Sequence, residues 1–138
     1  MEKRNPKISV VIPSFNQGSF IEETILSIIS QKYPNVELII IDALSTDNTL
    51  EIVKKYYDSI NYFVSESDKG QADALNKGFK IASGDICSYL NSDDIYIDNI
   101  LWKIAKEYKK NKFKWIYTDV LFGNSIENSE YFEGRISS

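Results

Sequence analysis

Four times in succession, a short and nearly unbroken aliphatic run is followed by a stretch in which apolar residues recur every three or four positions. Ile8 to Ile12 is rich in β-branched residues and is closed by Pro13, which predicts a central strand ending there. Ile21, Ile25, Ile28 and Ile29 then fall at helical period, and Ser19-Phe20-Ile21-Glu22 has the spacing of a capping box. That helix is expected to stop before Pro34, whose ring disfavours helical geometry at Tyr33. Val36 to Ile41 predicts a second strand, aliphatic enough for a sheet covered on both faces, and it ends at Asp42. A helix marked by Leu50, Val53 and Tyr57 follows, then a third strand from Ile60 to Val64. Leu75, Gly78, Phe79 and Ala82 mark a third helix with Gly84 as its terminator. Asp85 to Leu90 reads as a short buried strand, and Ile97, Leu101, Ile104, Ala105 and Tyr108 share one face of a fourth helix. Trp115 to Thr118 predicts a fifth strand ending at Asp119, and Val120 to Ser138 is weakly patterned apart from Tyr131-Phe132.

This alternation argues an α/β fold with a parallel sheet and right-handed crossovers. At 138 residues, with no repeat, low-complexity tract or linker, residues 1–138 are expected to form a single domain. Every polar cluster of note follows a strand directly: Ser14 to Asn16, Asp42, Ser65 to Gly70, Asn91 to Asp94, and Asp119. In an open α/β sheet those ends share one rim, where ligands bind. Leu90-Asn91-Ser92-Asp93-Asp94 stands out, because two adjacent acids facing a crevice repel unless protons or a cation screen them. A hard divalent ion suits that place, although Asn-Ser-Asp-Asp taken alone also makes an ordinary polar turn.

Composition narrows the chemistry. With 43% hydrophobic and 26% charged residues the chain is globular, and a net charge of -4 without a basic block argues against a nucleic-acid partner. A nucleotide stays open, since a metal can supply the missing positive charge. Histidine is absent, which removes Ser-His-Asp triads and most zinc sites. The single cysteine, Cys87, sits inside the fourth predicted strand and is expected to be a small buried hydrophobe. No apolar run approaches membrane-spanning length and the segment from Met1 to Lys7 is polar, so the expected location is cytoplasmic. The first loop, Pro13 to Gly18, carries neither the dinucleotide Gly-x-Gly-x-x-Gly pattern nor a phosphate loop with Gly-Lys-Ser/Thr.

Four motifs in order, Val10-Val11-Ile12-Pro13-Ser14-Phe15-Asn16, Ile40-Ile41-Asp42-Ala43-Leu44-Ser45-Thr46-Asp47, Asp68-Lys69-Gly70 with Ala74, Asn76 and Gly78, and Leu90-Asn91-Ser92-Asp93-Asp94, resemble the family 2 glycosyltransferases. The resemblance implies a GT-A fold, a Rossmann-like three-layer sandwich with a mainly parallel central sheet. It implies inverting transfer of a sugar from a nucleotide-diphosphate donor, with a UDP-sugar favoured, to a saccharide or lipid-linked acceptor in cell-surface polysaccharide or glycoconjugate synthesis. Peripheral association with the inner face of the plasma membrane would go with such acceptors. Carried over residue by residue, Pro13, Ser14, Phe15, Asn16, Asp42, Ser45, Lys69, Gln71, Asp73, Asn91 and Ser92 belong to the nucleotide-sugar site. Within it, Ser14 and Asn16 line the base and ribose pocket, Asp42 accepts from the base, Lys69 meets a phosphate and Asp73 a sugar hydroxyl.

Asp93 takes the metal-ligating place of the family's Asp-x-Asp element, with Asp94 assisting, and the ion is Mn²⁺ or Mg²⁺. Two departures stand out: Asn91 replaces the usual first acid, and Ala43-Leu44 replaces a small or acidic pair. Asp119 is expected at the sugar or acceptor rather than as the base. The base itself is expected beyond Ser138, which makes this chain the donor-binding half of a longer enzyme. Two rivals remain: a nucleotide-sugar-binding module without catalysis, and a receiver-like signalling domain, which also gathers acids and Mg²⁺ at strand ends.

Overall fold

The computed structural model describes residues 4–111 in full, together with the backbone of short strands between 115 and 137. The chain divides into two compact units, Met1–Ala105 and Lys106–Ser138. In the first, β1 (Ile8–Ser14), α1 (Ile21–Ile29), β2 (Val36–Asp42), α2 (Thr49–Lys55), β3 (Tyr62–Ser65), α3 (Gln71–Ile81) and β4 (Ile86–Tyr89) alternate as expected, and α4 begins at Ile100 and runs to Asn111. The sheet order is β3-β2-β1-β4, and every pairing in it is parallel. The chain therefore builds outward from β1 to β3 and then returns to the other side of β1, so the strand order reverses between β1 and β4.

Both faces of this sheet are covered. Val11, Ile39 and Ile41 pack with Ala74 of α3 on one face, and the alternate residues Val10, Ile12, Leu38 and Ile40, pointing the other way, are equally buried. Gly78 is the point of closest approach, since a Cβ there would lie 2.3 Å from Val11 Cγ1. Two short antiparallel ladders make up the described strands of the second unit: β5 (Trp115–Ile116) with β8 (Ile136–Ser137), and β6 (Val120–Phe122) with β7 (Glu130–Phe132). The fifth strand thus pairs antiparallel instead of extending the parallel series. Thr118 and Asp119 lie outside the described residues.

Several sequence expectations need correction. Strand β1 does not end before Pro13 but carries it, paired in register with Ile41. Backbone groups of Val11 face β4, as the bond from Leu90 N–H to its carbonyl shows, and those of Ser14 face β2, where the Ala43 N–H donates. By alternation the missing N–H of Pro13 falls on the β4 side, opposite the Leu90 carbonyl, so the β1–β4 ladder ends at Tyr89 while the β1–β2 ladder runs on to Ser14. The capping box does not form. Phe20 is the residue preceding α1, with no side-chain cap, and the Gln17 carbonyl takes the Phe20 and Ile21 N–H groups instead.

Tyr57 falls past the end of α2 in a short 3-10 turn (Tyr57–Ser59) and is exposed, while Ile52 supplies the buried contact. Helix α3 ends at Ile81, and Gly84 serves a different purpose: a Cβ there would meet Ser9 Oγ at 2.6 Å and the Lys7 and Ile86 carbonyls at under 3 Å. Ile97 precedes α4 and is exposed. Cys87 is exposed too, on a strand whose pairing among the described residues is with β1 alone. Burial and the Glu37 carboxylate raise its thiol pKa, which keeps it a poor nucleophile.

Candidate functional site at the switch point of the sheet

All four loops that leave the carboxyl ends of β1 to β4 meet at one rim, within the first unit. They enclose a pocket of about 670 Å³. Seven of the residues singled out in the sequence line it: Pro13, Ser14, Phe15, Gln71, Asn91, Ser92 and Asp93. Gln17, Ala43, Leu44, Ser67, Asp68, Gly70 and Ala74 complete the lining. Asn16, Asp42, Ser45, Lys69, Asp73 and Asp94 do not line it, although each lies in one of its loops or in the strand end or helix turn beside one.

The reason for the first three is visible in their hydrogen bonds. Asp42 is fully buried. Its Oδ2 accepts from the Ser45 N–H at 2.9 Å and the Ser65 hydroxyl at 2.7 Å, and its Oδ1 from the Ser45 hydroxyl at 2.5 Å. Ser45 Oγ in turn accepts the Asn16 N–H at 2.8 Å, and Asn16 Oδ1 accepts the Thr46 N–H at 2.7 Å. The β1 and β2 loops are thereby locked face to face. Asn16 and Leu44 both sit in left-handed backbone conformation, with φ of 49° and 56°. For Leu44, a branched residue with an unfavourable fit to that region, the lock must hold the strain. Asp47 adds a second tie, accepting from the Gly18 N–H at 2.9 Å and from both the N–H and hydroxyl of Thr49, and these bonds hold its carboxyl below the usual range.

Around α3 the tie is different. Gly70 precedes the helix at φ +111°, a conformation that favours glycine, and its N–H donates to Asp68 Oδ1 at 2.9 Å. Asp73 accepts the Lys69 N–H at 3.0 Å and lies 3.7 Å from Lys77 Nζ, and the backbone bond followed by that ammonium lowers its pKa. Asp73 thus braces the turn from the helix side.

The acidic stretch forms a turn, with the Asp94 N–H donating to the Asn91 carbonyl at 3.1 Å. Gln71 Nε2 donates to Asn91 Oδ1 at 2.5 Å, and Asn91 Nδ2 donates to Asp94 Oδ2 at 3.0 Å. Asn91 therefore bridges the third and fourth loops and occupies Asp94. Asp93, exposed like Asp94, is the acid of this turn that lines the pocket. Three residues that sequence reading passed over hold this loop from below. Thr24 Oγ1 donates to the Asp94 carbonyl at 2.6 Å, the Tyr96 N–H donates to Ser27 Oγ at 3.0 Å, and Gln31 Nε2 donates to the Ile97 carbonyl at 2.8 Å. Positions 24, 27 and 31 are one polar stripe at helical spacing, a signal that was available beside the isoleucine stripe.

Ser14 Oγ is buried and has no hydrogen-bond partner among the described residues. An orphaned hydroxyl beside a pocket is a place for a polar ligand atom.

An open parallel sheet whose loops surround a pocket where the strand order reverses, with Asp93 exposed on its wall at the β4 side, defines an α/β domain with a candidate ligand site at the topological switch point. The comparisons with known proteins narrow that class. The sequence model of Glycosyl transferase family 2 matches residues 9–133, and the chain belongs to this family. Among curated relatives, the UDP-Glc:alpha-D-GlcNAc-diphosphoundecaprenol beta-1,3-glucosyltransferase WfgD of Escherichia coli is 37% identical over 122 residues, 86% of this chain and 48% of the relative. Of solved structures, residues 1–349 of S. aureus TarS in complex with UDP-GlcNAc superpose with a TM-score of 0.67 at 31% identity, covering 75% of this chain and 31% of that one. The mannosyltransferase PcManGT from Pyrobaculum calidifontis, in complex with GDP-Man and Mn²⁺, gives 0.66 at 27% identity over 77% and 32%. The fold is thus the GT-A fold of these glycosyltransferases. The chain spans about half the length of the curated relatives it matches.

Proposed function

We propose that this chain is the nucleotide-sugar-binding part of a metal-dependent, inverting glycosyltransferase with a UDP-sugar as the favoured donor. The observation that carries the reading is Asp93, an exposed carboxylate on the wall of the pocket at the switch point. Among the described residues no three acids, histidines or cysteines gather into a metal cluster. Asp93 still fits Mg²⁺ or Mn²⁺, because such ions are commonly held by one or two carboxylates while substrate phosphates supply the remaining ligands. The ion would neutralise charge as the nucleoside diphosphate departs.

In this reading Asp93 is the metal ligand, Asp94 orients the turn through Asn91, and Pro13, Ser14, Phe15, Gln71 and Ser92 contact the donor. Lys69 and Asp73, which flank the lining residues Gly70 and Gln71, meet phosphate and sugar in this reading. WfgD's name specifies a UDP-glucose donor and a lipid-diphosphate acceptor, and TarS is complexed with UDP-GlcNAc, which supports UDP here and an acceptor that is lipid-linked or a saccharide. Work at the inner face of the membrane follows from such acceptors. Among the described residues no helix is long and apolar enough to cross a membrane.

The test is thermal unfolding with UDP-sugar and Mn²⁺. A ligand that binds only the folded state raises the Tm, by about 2.7 kcal/mol of stability at a hundred times its Kd. Asp93→Ala is expected to abolish the metal-dependent part of the rise, and an unchanged shift removes Asp93 from the site. A binding module without transfer is the second reading, and turnover of the donor separates the two.

A further inference from the structure

The nucleobase end of the pocket has an unexpected wall. If the diphosphate lies at Asp93, after β4, the nucleoside must extend across β1 toward the β2 loop, two strand spacings or about 10 Å away. There the lining is Ala43 and Leu44, not the carboxylate of Asp42. Asp42, unlike Ser14, does not line the pocket, and three donors from Ser45 and Ser65 already occupy its oxygens. The polar atom without a partner on this side is Ser14 Oγ, and Ser14 stands opposite Asp42 in the β1–β2 register.

We propose that Asp42 is a positioning residue that acts through Ser45 on Asn16, and that the base is seated against Ala43 and Leu44 with the Ser14 hydroxyl as its polar contact. This rests on the donor-site reading above and deepens it to base selection. The chemistry of the two candidates differs in a way that can be measured. A carboxylate only accepts, so it welcomes the N3–H of uracil and rejects cytosine, whose N3 is itself an acceptor. A hydroxyl donates or accepts and serves both bases. An apolar wall adds shape and contact area without reading the hydrogen-bonding edge. The pocket should therefore separate UDP from CDP weakly.

The experiment is calorimetric titration of the whole chain with UDP and with CDP in the presence of Mn²⁺. The proposal expects the two Kd values to agree within about tenfold, whereas a site built on a base–carboxylate bond discriminates by far more. Asp42→Asn is expected to weaken both nucleotides by the same factor, about tenfold for a disturbed buried bond, and to speed hydrogen exchange of the Asn16 amide. Should that variant not fold, Ser45→Ala interrupts the same relay and is expected to give the same equal loss. Ala43→Asp, which places a carboxylate on the lining, is expected to raise the preference for UDP over CDP about tenfold or more. Rejection of CDP beyond tenfold by the wild-type chain, or a loss in Asp42→Asn confined to UDP, overturns the proposal, as does an Ala43→Asp variant with an unchanged ratio. If neither nucleotide binds with Mn²⁺, it is the donor-site reading beneath it that fails.

Discussion

Thr24, on α1, donates its hydroxyl to the backbone carbonyl of Asp94 at 2.6 Å, with the Ser92 carbonyl 3.1 Å away. Thr24 and Ser92 are both buried, so the Ser92 carbonyl depends on partners within the protein. Thr24→Val keeps the shape of the side chain and removes the donor, which leaves buried acceptors short of a partner at a cost of about 1–3 kcal/mol. Equilibrium urea unfolding should show that loss. The same variant should bind UDP with Mn²⁺ more weakly than wild type, because the turn that presents Asp93 is no longer fixed from below. Thr24→Ser, which keeps the donor, should restore binding.

At the opposite end of the sheet Lys7 and Glu37 form an ion pair at 3.1 Å. Burial pushes the Glu37 carboxyl up, but hydrogen bonds from the Ser83 N–H and the Ser9 and Ser83 hydroxyls, together with Lys7, outweigh it and bring the pKa from 4.5 down to about 2. A carboxyl whose folded pKa is depressed contributes stability that is complete above its unfolded value and disappears as pH falls through the folded one. Glu37 should therefore stabilise the fold fully above about pH 4.5 and progressively less toward pH 2. Unfolding free energies across that window should fall with acid in wild type and fall less in Glu37→Gln, which should also be the less stable chain at pH 7.

Much of this architecture was legible because aliphatic runs report buried strands directly. Val36 to Asp42 reads as a strand for that reason, and its acid was expected at the rim where β2 ends. What the pattern could not show was which way a polar side chain turns after the strand. Asp42 and Ala43 are adjacent, and only the backbone path decides that the alanine lines the pocket while the acid closes a loop. Nor could periodicity reveal that a strand tolerates Pro13, since this depends on which neighbouring strand its missing N–H faces. Cys87 shows the same gap: its exposure follows from strand order, which sequence alone leaves open.

Gly78 offers a packing test. A methyl group added there would lie 2.3 Å from Val11 Cγ1, inside the core shared by α3 and the sheet. Helix propensity favours alanine over glycine by up to about 1 kcal/mol, yet overpacking of a closed core costs about 1–3 kcal/mol, so the clash should win. Gly78→Ala should lower the Tm. Combining it with Val11→Ala, which opens the space the methyl needs, should make the pair less damaging than the sum of the single changes.

Asn91 provides a last test, because it stands between Gln71 and Asp94 and donates to the latter at 3.0 Å. Asn91→Asp removes that donor and adds a third carboxylate to a turn that already carries Asp93 and Asp94. Like charges so close raise one another's pKa and destabilise the ionised form. The metal-free variant should therefore melt below wild type at pH 7 and recover toward it as the pH is lowered and the acids take up protons. A divalent cation reverses the balance, since the added charge becomes a ligand or counter-charge. In Mn²⁺ titrations followed by thermal unfolding, Asn91→Asp should show a larger stabilisation than wild type. Equal shifts in the two chains would mean that the cation does not sit against this turn.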